Sequence, residues 1–379
     1  MRILLVIDSF FTGGAEFSTL ELFSYLKDKG VTILICKTKE MRPEYQPDAF
    51  GLDKNLIQTL PQLGFKAKRK ALQNIIADFK PDIIHSVLFN SNLLVRTIRV
   101  FDSSFVHIES LVNHTYSSNR LNEPGVTKYK LEFYRWLDRF TSYFGTDHFH
   151  PNGFSVAEHY QKALGISPKK MTVVHRGRRG ENYEVASISR DELGIPENQL
   201  LLINVARQEY QKGQDVLFDA IALLPNNVLD KIHLLIVGRE GKATPSLQKQ
   251  VKEKGISASI SFLGHRTDIP ALLNSSDIFV FPSRFEGLPG VLIEAEASGL
   301  PIICTHLSMM LEVVQVNENA LTFEIDNPIQ LAEAIEKLVT QDDLRHRFAK
   351  KSKEVFKENF QIESVHQKMY DLYQKLIQK

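Results

Sequence analysis

Short apolar runs without polar alternation recur along this chain, each followed by a stretch of helical periodicity, and the whole pattern runs twice. Runs of that kind suit strands buried on both faces, the habit of parallel sheets covered by helices. In the first half they are Ile3–Ile7, Thr32–Cys36, Asp82–Val87, Phe105–Glu109 and Thr172–His175, with helical patterns such as Ala15–Leu26, Ala67–Phe79 and Asn92–Phe101 between them. The second half restarts with Leu201–Val205, His233–Val237, Ile260–Leu263, Ile278–Phe281 and Pro301–Cys304. Helices are predicted there at Gly213–Leu223, Ser246–Glu253, Gly290–Ser298 and Pro328–Thr340. Two sets of right-handed βαβ units predict an α/β chain of two doubly wound sheets. The join falls near Arg176–Asp191, a polar stretch with Gly177 and Gly180. Near the end, Val365, Met369, Leu372 and Leu376 recur at helical spacing. Thr115–Thr127 (TYSSNRLNEPGVT) has no periodicity, and a functional loop and an ordinary surface excursion explain it equally well.

Composition narrows the function. A length of 379 residues fits two domains. Lys and Arg total 46 against 45 Asp and Glu, so the net charge of +1 argues against a protein built around nucleic acid. Two distant cysteines, Cys36 and Cys304, support neither a disulfide framework nor a cysteine-type zinc site. No segment reaches the roughly 18 consecutive apolar residues of a membrane span, and the opening run stops at Asp8, too soon for a signal peptide. A cytoplasmic protein is expected, with peripheral contact to a membrane left open.

In open α/β sheets ligands bind beyond the carboxyl ends of the strands, so the turns there are the first candidates. After the first strand comes Phe11-Thr12-Gly13-Gly14-Ala15-Glu16, which is not the G-x-G-x-x-G dinucleotide fingerprint. Gly13 and Gly14 permit close approach, and the following helix offers free N–H groups to an anion; a tight turn without ligand explains them as well. The second half opens with Asn204-Val205-Ala206-Arg207-Gln208-Glu209-Tyr210-Gln211-Lys212-Gly213. Arg207 and Lys212 before a helix could hold a diphosphate; read alone, the stretch favours two solvated cations.

The most informative stretch is Ile278–Ala295, where a buried strand runs through Pro282-Ser283-Arg284-Phe285-Glu286-Gly287-Leu288-Pro289 into a helix starting near Gly290. Glu286 on the turn and Glu294 in the helix can accept hydrogen bonds from sugar hydroxyls, while Gly287 and Gly290 allow a ligand close. A helix-capping role for Glu286 and a solvated Glu294 are the alternatives.

Glu286–Glu294 resembles the E-x7-E motif of retaining GT-B glycosyltransferases, in particular glycosyltransferase family four. The resemblance covers nearly the whole chain. Gly13-Gly14-Ala15-Glu16 is similar to that family's glycine-rich acceptor-side loop, Asp82-Ile83-Ile84-His85-Ser86 to its D-[IV]-[IV]-H strand, and Arg207 with Lys212-Gly213 to its diphosphate clamp. Val237-Gly238, Phe262-Leu263-Gly264 and Ser275-Ser276-Asp277 follow in the family's order. Ala206 replaces the usual glycine before the arginine, and Arg176-Gly177-Arg178 replaces the usual Asn-Gly.

The resemblance implies two Rossmann-like domains facing a cleft: residues 1–178 with a crossover helix 360–379 on the acceptor side, and residues 190–359 binding the nucleotide sugar. It implies metal-independent transfer, with retention, from a nucleotide-diphosphate sugar to a glycan or lipid-linked acceptor, with no cofactor beyond the donor and no nucleic-acid partner. Arg207 and Lys212 would hold the diphosphate and Glu286 the donor sugar. Glu294 would take the ribose hydroxyls, and the amides of Gly290 and Val291, flanked by Gly287 and Leu288, would face the distal phosphate. Gly264 and Asp268 would frame the base. The first-domain histidine near the sugar is assigned to His114, with His107 and His85 as competitors. Two other readings are an epimerase acting on the donor alone and a non-catalytic nucleotide-sugar-binding subunit. Lys66, Lys68, Arg69 and Lys70 form a basic run, better read as a solvated helix face than as a contact with anionic lipid.

Overall fold

The computed structural model describes residues 1–11, 13–40, 45–117, 120–121 and 125–378. It divides into two units, Met1–Gly177 with Glu363–Lys379, and Arg178–Ile362.

The first unit alternates β1 (Arg2–Ile7), α1 (Gly14–Asp28), β2 (Thr32–Lys37), β3 (Ile57–Thr59), α2 (Phe65–Phe79), β4 (Ile83–Val87), α3 (Phe89–Arg99), β5 (Val106–Leu111), α4 (Lys128–Gly145), β6 (His148–Pro151) and α5 (Phe154–Leu164). All pairings are parallel, in the order β3-β2-β1-β4-β5-β6. The side-chain period of two explains why β1 shows no polar alternation. Ile3, Leu5 and Ile7 pack on Leu20, Phe23 and Leu26 of α1, while Leu4 and Val6 face Leu72 and Ile76 of α2 and Leu94, Val95 and Ile98 of α3. Each face of the strand is covered by helices.

The second unit contains α6 (Arg190–Leu193), β7 (Leu200–Val205), α7 (Gln214–Leu223), α8 (Asn226–Leu229), β8 (Ile232–Val237), α9 (Thr244–Glu253), β9 (Ile260–Gly264) and α10 (Ile269–Asn274). It continues with β10 (Ile278–Phe281), α11 (Gly290–Ala297), β11 (Ile302–Thr305), α12 (Ser308–Leu311), β12 (Ala320–Phe323), α13 (Pro328–Thr340) and α14 (Asp342–Asn359). Its parallel sheet runs β12-β11-β10-β7-β8-β9. Leu202 packs with α7 and α13 through Leu217, Ile221, Leu331 and Ile335, and Leu201 and Ile203 pack with α11 and α14 through Leu292, Ile293, Val355 and Phe356. The last helix, α15 (Ile362–Ile377), places Val365, Met369, Leu372 and Tyr373 in the core of the first unit, beside Ile3 and Leu5.

The chain is thus α/β with two doubly wound parallel sheets. One predicted strand is corrected. Thr172–His175 is not a strand; the sixth strand of the first unit is β6, whose His148 and His150 hide it from a search for apolar runs. Thr172 and Val174 donate backbone hydrogen bonds to Phe149 and Pro151 of that short strand without extending into a ladder. The three-residue β3 and the four-residue β12 also escape the apolar-run criterion.

Of the four histidines on the strands of the first sheet, three, His85, His107 and His150, make polar contacts inside it. His85 Nδ1 meets the Tyr373 hydroxyl at 2.6 Å and its Nε2 meets Ser110 Oγ at 2.7 Å. Ser110 Oγ also meets His150 Nδ1 at 3.0 Å. His107 Nδ1 donates to the Gly145 carbonyl at 2.6 Å, and Ser86 Oγ donates to His107 Nε2 across 2.8 Å. Burial lowers the pKa of each, that of His150 to about 4. Below pH 6.5 the unfolded chain therefore takes up protons that the folded one refuses. Stability present at neutral pH should fall as the pH drops from 6.5 toward 4, by on the order of 3 kcal/mol from His150 alone. Thermal unfolding across that range checks the sign, and a melting temperature that is flat or rises on acidification contradicts it.

Candidate active site

The order of the second sheet reverses at β7, which has β8 on one side and β10 on the other. Such a switch point is where a doubly wound sheet opens for a ligand. Backbone pairing between β7 and β10 covers only Leu202 with Ile278 and Ile203 with Phe279. Beyond it the strands part, and the side chain of Asn204 bridges the gap by donating to the Val280 carbonyl at 2.8 Å. Gln214 Nε2 holds Asn204 in place from α7 at 2.9 Å.

Two loops leave these parted ends. The loop after β7 carries Arg207 and Lys212, and the loop after β10 carries Ser283–Pro289. They are stitched together by Arg284, which has no part in the motif. Its backbone N–H donates to the Gln211 carbonyl at 2.8 Å, and its Nη1 donates to the Tyr210 carbonyl at 2.6 Å. The guanidinium forks onto Asp215 of α7 at 2.9 and 2.7 Å and reaches Asp326 at 2.7 Å. Gln211 Nε2 returns a bond to the Phe285 carbonyl at 2.7 Å. This stitching brings Lys212 and Glu286 together. Lys212 Nζ donates to Glu286 Oε1, and Ser283 Oγ donates to the same oxygen at 2.8 Å. The Lys212 and Glu286 side chains are only 13% and 12% exposed. Glu286 is therefore no helix cap, and Lys212 is no solvated cation. Arg207 stands exposed just past β7.

Helix α11 begins at Gly290, with Pro289 as its N-cap residue, so the amides of Gly290 and Val291 lie in its first turn and Gly287 and Leu288 in the approach. Glu294 is not simply solvated: Arg178 Nε donates to its Oε1 at 3.0 Å, and the Arg178 side chain is 2% exposed. That answers what the Arg176-Gly177-Arg178 turn touches. Gly264 ends β9, and its carbonyl accepts from the Gly238 N–H at 2.8 Å. Asp268 is the N-cap residue of α10 and is held by the Arg266 guanidinium, which lowers its pKa, hydrogen bonding outweighing modest desolvation. Among the described residues no group of three or more His, Cys, Asp or Glu side chains is placed to hold a metal ion.

Residues 12–179 match the family model described as Glycosyltransferase Family 4, and residues 186–355 match that of Glycosyl transferases group 1. The chain is a glycosyltransferase of the GT-B type. The UDP-Gal:alpha-D-GlcNAc-diphosphoundecaprenol alpha-1,3-galactosyltransferase of Escherichia coli is 23% identical over 95% of this chain and 93% of its own length. The lipopolysaccharide core biosynthesis glycosyltransferase LpsE of Rhizobium meliloti is 28% identical over 48% of this chain, a match spanning about half of that relative (52%). Among solved structures, Anabaena HepE in complex with UDP and glucose superposes with a TM-score of 0.83 at 18% identity, covering 99% of this chain and all of that one (100%).

In the first unit of this glycosyltransferase, Gly13 is the N-cap residue of α1 and Gly14 its first residue; Thr12 lies outside the described residues. A Cβ on Gly14 would sit 3.1 Å from Arg176 Nη1, so the turn is closely packed on that guanidinium. His85 and His107 are buried, with both ring nitrogens bonded, and cannot reach a substrate. His114 follows β5 and stacks on His159, with ring centroids 4.9 Å apart. Of the excursion that follows it, Ser118, Asn119 and 122–124 lie outside the described residues.

Gly213 joins the two loops of the second unit. It adopts φ +63°, and a Cβ there would lie 2.0 Å from the Pro282 carbonyl oxygen. Gly255 has a similar φ of +69° with nothing within 4 Å. Gly255→Ala should cost about 1 kcal/mol for the left-handed conformation alone. Gly213→Ala should cost roughly 2 kcal/mol or more beyond that, since backbone must move. Urea unfolding of the two variants measures the difference; equal losses would mean that the loops are not packed as described.

Proposed function

We propose that this glycosyltransferase takes a sugar from a nucleoside-diphosphate sugar and transfers it, with retention at the anomeric carbon and without a metal ion, to a glycan or lipid-linked acceptor. The observation that carries the reading is the largely buried pairing of Lys212 with Glu286, which joins the loop after β7, where Arg207 also lies, to the loop after β10 that leads into α11. The E. coli relative, whose name gives UDP-Gal as donor and a diphosphoundecaprenol-linked sugar as acceptor, supports the donor and acceptor classes.

Breaking the bond between the anomeric carbon and the phosphate oxygen leaves positive charge on the sugar and adds negative charge to the diphosphate. Fixed cations at the leaving group lower that barrier. Arg207 and Lys212 supply two, and the amides of Gly290 and Val291 add the helix N-terminus. Both bonds to Glu286 fall on Oε1, so Oε2 accepts from a donor-sugar hydroxyl. Glu294, steadied by Arg178, accepts from the ribose hydroxyls, with Gly264 and Asp268 beside the base. The acceptor hydroxyl forms the new glycosidic bond on the face the phosphate leaves, and its proton passes to the departing phosphate oxygen, so no protein nucleophile is required.

The test is nucleoside-diphosphate release from a panel of nucleotide sugars, with and without a diphosphate-lipid acceptor. Release that needs the acceptor supports transfer, whereas conversion of the donor alone identifies an epimerase. Arg207→Ala should lower turnover by roughly 10²–10³-fold while the melting temperature stays within experimental error, because the side chain is exposed. Lys212→Ala should lose activity and stability together, since it strips a largely desolvated Glu286 of its cation. Near-wild-type turnover in Arg207→Ala would overturn the assignment. Activity should persist in excess EDTA; loss that Mg²⁺ restores would reject the metal-free route.

A further inference from the structure

Helix α4 is turned inside out. Its inward side carries Asp138, Ser142 and Gly145, and the space there is filled by Arg96 of α3. That guanidinium binds Glu109 of β5 through Nε at 2.6 Å and through Nη2, and it donates from Nη1 to Asp138 and, at 3.0 Å, to Thr141. The outward side is aromatic. Tyr129, Phe133, Trp136, Phe140 and Tyr143 follow at alternating four- and three-residue steps, with Phe144 alongside, and all are exposed, Tyr129 by 89% and Trp136 by 61%. Trp136 and Phe140 lie flat against each other, ring planes 10° apart. Spacing of this kind makes one continuous stripe along a helix, and a stripe of that size on a water-soluble surface marks an interaction site.

The flanks name the partner. Lys128, Lys130, Arg135 and Arg139 stand along α4 against a single exposed acid, Glu132, itself paired with Arg135. Protein interfaces deplete lysine and seat aromatics in a charge-poor centre. A stripe of Tyr, Trp and Phe bordered by basic side chains matches the boundary of a bilayer, where amphipathic rings sit at headgroup level and cations meet anionic lipid. Among the described residues no helix is long and apolar enough to cross a membrane, so such a helix lies in the interface. The basic run on α2 is a poorer candidate, because Lys68 and Arg69 turn inward to the carbonyls of Thr38 and Thr97.

We infer that α4 is an interfacial helix that lays its aromatic stripe into the surface of an anionic lipid bilayer. The inference rests on α4 alone and not on the transfer chemistry. Trp136 is the only tryptophan of the chain, so its emission reports on this helix without labelling. With vesicles of equal parts phosphatidylcholine and phosphatidylglycerol the emission should shift to the blue, brominated acyl chains should quench it, and the protein should float with the vesicles. Pure phosphatidylcholine should bind it far less, and salt should weaken the binding. Phe133→Ser with Phe140→Ser keeps Trp136 and should reduce partition roughly tenfold or more, with melting temperature and any measured donor binding unchanged. Lys128→Ser with Lys130→Ser is the second variant, expected to lose only the anionic preference. Emission and flotation unaffected by anionic vesicles would overturn the proposal. A blue shift that grows with protein concentration in the absence of lipid, together with a dimer in solution, would assign the stripe to a second copy and overturn it equally.

Discussion

Everything in the donor-side geometry depends on the place where β7 and β10 stop pairing. Parallel strands that stayed in register to their ends would have no room between their loops. Here the ladder ends after two residue pairs, and Asn204 replaces the next backbone bond with a side-chain one. The loops above diverge and are then drawn back together by Arg284. A guanidinium taken from water regains only part of that cost from its ion pairs, so what this residue contributes is position. Its fork on Asp215 and its bonds to the Tyr210 and Gln211 segment fix one loop relative to the other. Lys212 and Glu286 inherit their contact from that arrangement.

The charges at this site are arranged in advance. Lys212 and Glu286 compensate each other within a poorly exposed pair, which leaves Arg207 as the excess cation, standing in solvent. A doubly charged ligand approaching from water therefore meets the field of Arg207 and of the α11 N-terminus first. Contact with Lys212 requires the ammonium to share its donors between Glu286 and the ligand. An ammonium has three N–H donors and can do so without releasing the carboxylate. On the proposed reading, this mutually neutralised pair would bridge a diphosphate and a sugar hydroxyl.

Much of this was legible in the sequence because it is local. Apolar runs name the strands that are buried on both faces, and the loops that follow them carry Arg207, Lys212 and Glu286 close to a strand end, with Glu294 about one turn into the helix that follows. What was not legible is long-range or polar. Arg178 meets Glu294 across 116 positions, and no spacing rule connects them. Arg284 sits inside the most informative stretch, yet its role comes from Asp215 and Asp326, on other elements. β6 escaped notice because its alternate residues are histidines that pair with hydroxyls and carbonyls. Helix α4 follows the same rule: with Asp138 and Ser142 inward and aromatics outward, its pattern has the helical period but the opposite sense to the one a core-facing helix presents.

That inversion and the placing of His114 have a common origin in Arg96. The guanidinium forks onto Glu109 of β5 through Nε and Nη2, and its remaining Nη1 donors are taken up by Asp138 and Thr141 of α4. A helix that turns Asp138 inward must turn the positions half a circumference away outward, and in this chain those are the aromatic ones. Asp138 has a second oxygen, which accepts from the Tyr116 hydroxyl at 2.6 Å, and the Tyr116 N–H donates to His159 Nε2 at 3.0 Å. His159 can accept that bond because burial and the neighbouring His114 hold its pKa near 4, keeping the ring neutral. His114 stacks on the ring so fixed. One buried cation, acting through Asp138, thereby sets both the face that α4 offers to the outside and the root of the excursion that begins at Thr115, so a change at Arg96 would be felt at both surfaces.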